Sequence, residues 1–133
     1  MEIIDHPFTQ LGKDQIARPF LPTVFINPHT KKGIKLLSLI DTGADECALP
    51  AVYADLLGHK LGNGKTKQIG TGNGNTIAYS HTMCVHVQDY QLNDVLFDFM
   101  PNLNIPLLGV KNFLSDFELL IDYPNQKFSL RQK

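Results

Sequence analysis

The chain has 133 residues, with 12 lysines and arginines against 13 aspartates and glutamates, for a net charge of about −1. That length holds one domain. The charge balance excludes a nucleic-acid binder working through a broad basic face, and it leaves no polybasic segment for an anionic membrane. Apolar residues make up 43% and charged ones 19%, a mix that buries a core. Without tryptophan, eight Phe, four Tyr and the aliphatic residues must build it. No apolar run of about 18 residues is present to span a membrane. The acidic start of the chain is unlike a secretory signal. Two cysteines, Cys47 and Cys84, make no disulfide framework and no CxxC zinc motif. These features together read as a reduced, cytoplasmic protein.

Residues 1–18 are mixed in character and read as an N-terminal leader or edge segment, ahead of a domain over 19–133. Pro19–Ile26 is rich in β-branched and aromatic residues and predicts a strand, stopped by Asn27-Pro28. His29–Gly33 is a turn in which Gly33 can take a positive φ. Ile34–Ile40 is almost wholly apolar and predicts a second strand, buried on both faces and paired with the first. Pro50–Gly58 predicts a short helix, with Pro50 at its first position and Gly58 at its C-terminal cap. Lys65–Ile69 and Thr76–Val87 predict strands around a Gly/Asn-rich turn. Leu92–Met100, Phe117–Ile121 and Lys127–Leu130 predict three more, and Val110–Ser115 a short helix. Many short strands with one or two short helices point to a closed or nearly closed all-β domain.

Chemistry concentrates where the second strand runs into Asp41-Thr42-Gly43-Ala44-Asp45. A carboxylate at the end of an apolar strand is costly unless it is hydrogen-bonded or shared. Gly43 permits a tight turn that leaves the carboxylate pointing out of the strand end, and the Thr42 hydroxyl can lock that turn. Further on, Gly70-Thr71-Gly72-Asn73-Gly74-Asn75 places three glycines at a hairpin tip, the composition of a mobile lid. Ile105-Pro106-Leu107-Leu108-Gly109 is an apolar run ending in glycine. Taken singly, each has a plain structural reading: a strand-to-turn junction, a floppy hairpin, a core strand.

In this order and spacing, the three segments resemble the retropepsin-like aspartic proteases, the family of the retroviral proteases and their cellular and bacterial relatives. The resemblance runs from about Pro19 to Leu130. It implies an all-β, closed-barrel-like retropepsin fold with a flap hairpin, working as a homodimer. Leu39–Ala44 resembles the catalytic signature and Gly70–Asn75 the tip of the flap. Leu107-Leu108-Gly109 resembles the second motif, which packs beside the active-site loop and is followed by the family's helix; the polar residue and two apolar residues expected after its glycine fit Gly109–Leu114 only with a shift of one residue. The implied activity is that of an aspartic endopeptidase. Asp41 would be catalytic and Thr42 would bond across to the partner loop. Gly43, Ala44 and Asp45 would meet an extended substrate, with no cofactor and no metal.

Hydrolysis of this kind needs two carboxylates that share one proton, since like charges so close cannot both ionise. The chain has one Asp-Thr-Gly. Asp45 lies on the same loop and points elsewhere, and Asp116 and Asp122 lack a following Thr/Ser-Gly. A two-lobed single chain would need about twice this length, so the economical arrangement is a two-fold homodimer. The expected partners are a second copy and a peptide or protein substrate with apolar side chains beside the cut, with no nucleic acid and no membrane. The alternative is a peptide-binding or dimerisation module on the same fold with little or no catalysis.

Other signals carry less. Gly58–Thr66 has the look of a phosphate-binding loop, but the pattern needs glycine where His59 stands. On a strand Cys84 and His86 share a face with His81 opposite, and the histidines read as surface residues rather than metal ligands. Cys47 reads as a small buried hydrophobe. Lys60, Lys65 and Lys67 read as a solvated basic cluster at the base of the hairpin.

Overall fold

The computed structural model of the chain describes residues 1–71 and 74–132. Among the described residues ten strands and one short α-helix follow in the order β1 (Glu2–Pro7), β2 (Phe20–Ile26), β3 (Gly33–Ile40), β4 (Ala48–Pro50), α1 (Tyr53–Leu56), β5 (Lys65–Thr71), β6 (Gly74–Val87), β7 (Tyr90–Met100), β8 (Leu107–Leu108), β9 (Phe117–Asp122) and β10 (Lys127–Gln132). The main sheet runs β2-β3-β8-β4-β7-β6, and β6 pairs back to β2, closing a six-strand barrel. Closure removes free edges from those six strands. The far half of β6 extends past the barrel and pairs with β5 as a hairpin. A separate sheet, β1-β10-β9, gathers the two ends of the chain, with β1 as one of its edges.

Side-chain alternation explains the barrel. In β6, His81, Met83, Val85 and Val87 are buried at every second position, and the residues between them are half-exposed. Inside, Phe25 and Phe97 meet edge to face with ring centres 5.6 Å apart. Phe20, Phe25, Phe97, Phe99, Phe113 and Phe128 are among the largest fully buried side chains. Each such burial stabilises by roughly 1.5–3 kcal/mol. A second aromatic group, Tyr90, Phe113 and Phe117, joins the barrel to the terminal sheet, whose inner face carries Ile3, Phe128 and Leu130.

Four expectations need correction. The strand over 34–40 is not buried on both faces: in β3 only Ser38 and Ile40 are buried, while Lys35 and Leu37 are exposed. A barrel wall has one inner face, so alternate side chains along β3 turn outward. In the preceding turn the left-handed residue is Lys31 (φ 63°), and Gly33 already pairs with Ile26. The helix predicted over 50–58 shrinks to α1, because Pro50 ends β4 opposite Met100. Gly58 does cap it, with φ 83° and its N–H bonded to Asp55 O at 3.0 Å. Val110–Ser115 forms wide turns instead of an α-helix, with Leu114 N on Gly109 O and Ser115 N on Val110 O, both at 2.9 Å. A single 3-10 turn over Leu114–Asp116 follows.

His81 is not a surface residue either. It is buried and stacked on His59, ring centres 4.5 Å apart, with Phe99 against both. The pair forms a reciprocal clasp between β6 and the segment leading into β5. His59 Nε2 donates to Thr82 O at 3.1 Å, and His81 Nε2 donates to Leu61 O at 3.0 Å. Carbonyls only accept, so each Nε2 carries the proton. Burial, then the neighbouring His81 and His29, hold His59 below its ordinary value, against the raising effect of its bond to Thr82. Above the unfolded value near 6.5 both folded and unfolded states are neutral, and the stabilisation is complete. As pH falls below it the unfolded chain takes up the proton first, so stability drops until the lower folded value is reached. The melting temperature should therefore fall as pH drops below the unfolded value near 6.5, and His59→Gln should flatten that fall. An unchanged slope in the variant would show that the clasp does not titrate.

Candidate active site

Asp41 emerges at the end of β3, where the strand is wedged between β2 and β8. Ile40 N bonds to Pro19 O at 2.9 Å, and Asp41 N bonds to Leu108 O at 3.1 Å. Parallel pairing of Leu39 with Leu107 and of Ile40 with Leu108 carries the motif after β3 alongside the motif at β8. The chain then turns: Ala44 N bonds to Asp41 O at 3.2 Å, and Gly43 N donates to Asp41 Oδ1 at 3.0 Å. A backbone N–H on a carboxylate is a charge-assisted bond that orients the acid. Asp41 stays half-buried, while Thr42, Gly43 and Asp45 are exposed.

The loop after Asp41 is held down by the residues after β8. Val110 N bonds to Ala44 O at 2.9 Å and Lys111 N to Asp45 O at 2.7 Å. Gly109 N donates to Cys47 Sγ at 3.3 Å. A side chain at 109 would put its Cβ 2.5 Å from the Glu46 backbone carbonyl. Only glycine fits such an approach. Burial pushes the Cys47 thiol up to about 12, so it stays protonated as a small packed group.

A cleft opens beside Asp41, under β5. Its lining includes Asp41, Gly43, Ala44, Asp45, Gly70 and Leu107, so the loop after Asp41, the hairpin and the Leu107-Leu108-Gly109 segment meet there. Leu108 and Gly109 are buried beneath the loop and support it from behind. At the hairpin tip Gly70 pairs with Asn75 and Thr71 with Gly74; Gly72 and Asn73 lie outside the described residues. The remaining walls are apolar at Ala48, Ile69, Met100 and Val110, and charged at Glu46, Lys67 and Asp98.

Two comparisons bear on this arrangement. Residues 28–116, well over half of the chain, match the family model described as "gag-polyprotein putative aspartyl protease". The chain belongs to this aspartyl protease family. Its fold is similar to the crystal structure of a retropepsin-like aspartic protease from Rickettsia conorii, with a TM-score of 0.66 and 22% identity, covering 98% of this chain and 90% of that one. It is also similar to EIAV protease complexed with the inhibitor HBY-793, with a TM-score of 0.50 and 20% identity, covering 76% of this chain and 88% of that one. At these identities the structures establish the retropepsin fold. No curated protein matches the chain.

Within this aspartyl protease fold, sequence reasoning missed the charged wall of the cleft. Lys67 is not part of a solvated cluster. Its ammonium is ion-paired with Glu46 and lies 3.0 Å from Asp98 Oδ1. The signal was the alternation of β5, which puts Lys67 on the same face as Ile69. Asp98 also accepts from Ser80 Oγ at 3.3 Å, and Lys111 lies 3.5 Å from Glu46.

The close approach at Gly109 is directly testable. Gly109→Ala should lower the urea-unfolding free energy by roughly 3 kcal/mol, because the backbone of the Glu46 segment must move to admit a methyl group. A loss under about 0.5 kcal/mol, ordinary for a surface substitution, would mean the loop is not clamped there.

Proposed function

We propose that the protein is an aspartic endopeptidase that works as a homodimer, each protomer contributing one Asp41. The observation that carries this reading is the Asp41 carboxylate of the chain's one Asp-Thr-Gly, oriented by the Gly43 N–H and half-exposed at the edge of an open cleft. The chemistry of that family needs two. Residues 19–133 would form the catalytic domain, with 1–18 as its edge segment.

In such a dimer the two Asp41 carboxylates share one proton, because like charges a few ångströms apart cannot both ionise; the aspartic-protease dyad is the standard illustration of that rule. The ionised partner takes a proton from water, and the protonated one polarises the scissile carbonyl. The proton then passes to the leaving amine, and no covalent intermediate or cofactor is required. Thr42 would bond across to the partner loop. The backbone from Gly43 to Asp45 would hold an extended peptide by strand-like hydrogen bonds. The tip from Gly70 to Asn75 would cover it and exclude water. Ala48, Ile69, Met100 and Val110 favour apolar substrate side chains beside the cut. Two free thiols, Cys47 and Cys84, fit a reducing, cytoplasmic setting.

The test is cleavage of a mixed peptide library, read by mass spectrometry over a range of protein concentrations. Asp41→Asn should abolish cleavage, and wild-type activity should rise faster than linearly with concentration until the dimer saturates. Cleavage at the wild-type level in Asp41→Asn would overturn the assignment.

A further inference from the structure

We propose that Lys67 is a positioning residue: anchored on Asp98 and Glu46, it latches the β5–β6 hairpin at a fixed height over the cleft. This deepens the peptidase reading and rests on it for its catalytic consequence, though not for its structural one.

The argument starts with Asp98. It lies in β7 between Phe97 and Phe99, and all three residues are buried. A carboxylate in such a place is tolerated only when paired and hydrogen-bonded. Its pairing cation comes from another element, Lys67 on β5, at 3.0 Å, and Ser80 of β6 adds a hydroxyl at 3.3 Å. The Asp98 backbone is fixed as well, since its N–H bonds to Cys47 O at 3.1 Å. Asp98 is therefore a rigid anchor welded to the loop that carries Asp41. Glu46, on that same loop, is the second anchor, with Lys111 behind it at 3.5 Å.

β5 needs such an anchor. Among the described residues it pairs with β6 alone, through a ladder from Lys65↔Ser80 to Thr71↔Gly74. Backbone pairing fixes β5 relative to β6 but not the tilt of the whole hairpin over the cleft. Lys67 supplies that constraint, because its ammonium joins the hairpin to the barrel wall and to the active-site loop at one point. The lysine lines the cleft beside Ile69 and Gly70, so a peptide entering the cleft passes the latch.

The charges also say when the latch loosens. The groups facing Asp98 are Lys67 from β5, Glu46 from the active-site loop and Ser80 from β6, with Lys111 beyond Glu46. Burial raises Asp98, and the nearby Lys67 only partly offsets it. The hydrogen bond from Lys67 holds Glu46 below its ordinary value. Burial lowers Lys67, but the two carboxylates outweigh it and hold the ammonium above its usual range. As pH falls, Asp98 therefore takes up a proton before Glu46 does, and the latch loses its buried anchor first.

The experiment has two readouts. The first is hydrogen exchange of the amides of residues 66–70, measured in an Asp41→Asn background so that it is independent of catalysis. Lys67→Gln and Asp98→Asn each cut the latch, and Lys65→Gln on the same strand is the control. Exchange in the hairpin should speed up about tenfold in both latch variants, with the barrel strands β2 and β7 unchanged and the control like wild type. Unchanged hairpin exchange in either folded variant, equal loosening in Lys65→Gln, or uniform loosening of the barrel would overturn the latch. The second readout is kinetic, in otherwise wild-type protein. Asp98→Asn should raise KM about tenfold with kcat within about twofold; wild-type KM should rise toward acid pH, and the variant's should not. A fall in kcat at constant KM would overturn the positioning role. A wild-type protein without cleavage would refute the peptidase reading alone, because the exchange readout stands without it.

Discussion

The site depends on one steric constraint: the backbone of Gly109 lies so close to the backbone of Glu46 that no Cβ can be accommodated. That approach lets Gly109, Val110 and Lys111 donate in succession to Cys47, Ala44 and Asp45. The loop after Asp41 is thus held by successive backbone N–H groups of the facing segment, two on loop carbonyls and one on the Cys47 sulfur. On its other side β3 is wedged between β2 and β8, and the Asp41 N–H is bonded to Leu108. With backbone support on both flanks, the Asp41 carboxylate can stay half-exposed, turned by the Gly43 N–H, without a buried partner. A functional carboxylate needs this combination of fixed position and open access.

The cleft follows from how the barrel closes. β4 is three residues long, yet it pairs with both β7 and β8 and so puts Ala48 and Met100 beside the active-site loop. β6 is long enough to serve the barrel with one half and to carry β5 outward with the other. The hairpin therefore overhangs the loop as a consequence of strand length. What the ladder leaves loose, the ion pairs of Lys67 with Asp98 and Glu46 restrain, and the His59–His81 clasp secures the root of the hairpin. Two charged or titratable contacts thus bear on one hairpin.

Much of this was legible in the sequence because it rests on local rules. Asp41-Thr42-Gly43 after an apolar strand, and Leu107-Leu108-Gly109 later, each announce a strand end with a glycine turn, and the barrel sets them side by side. The alternation in Thr76–Val87 marked β6 correctly, including the opposition of His81 to Cys84 and His86. Non-local determinants were hidden. Pro50 suits the first turn of a helix, but its pairing with Met100 across the barrel decides otherwise. Lys35 and Leu37 face outward because side chains alternate along a barrel wall, a period that the nearly continuous apolar run of β3 masked. His59 and His81 lie far apart in sequence, and their stacking depends on the path from α1 to β5. Lys67 looked like one more surface lysine. Its place beside Ile69 on one face of β5, and Asp98 between two phenylalanines, were the available signs of an ion pair on a buried carboxylate.

The central claim is that one protomer holds half of a catalytic site. The most direct measurement mixes wild-type protein with Asp41→Asn at constant total concentration, lets subunits exchange, and follows peptide cleavage as the proportion varies. If the two Asp41 carboxylates act as one dyad, activity falls as the square of the wild-type fraction, because mixed dimers are inactive. Activity that falls in simple proportion to the wild-type fraction would mean that each protomer cleaves on its own, and would contradict the account.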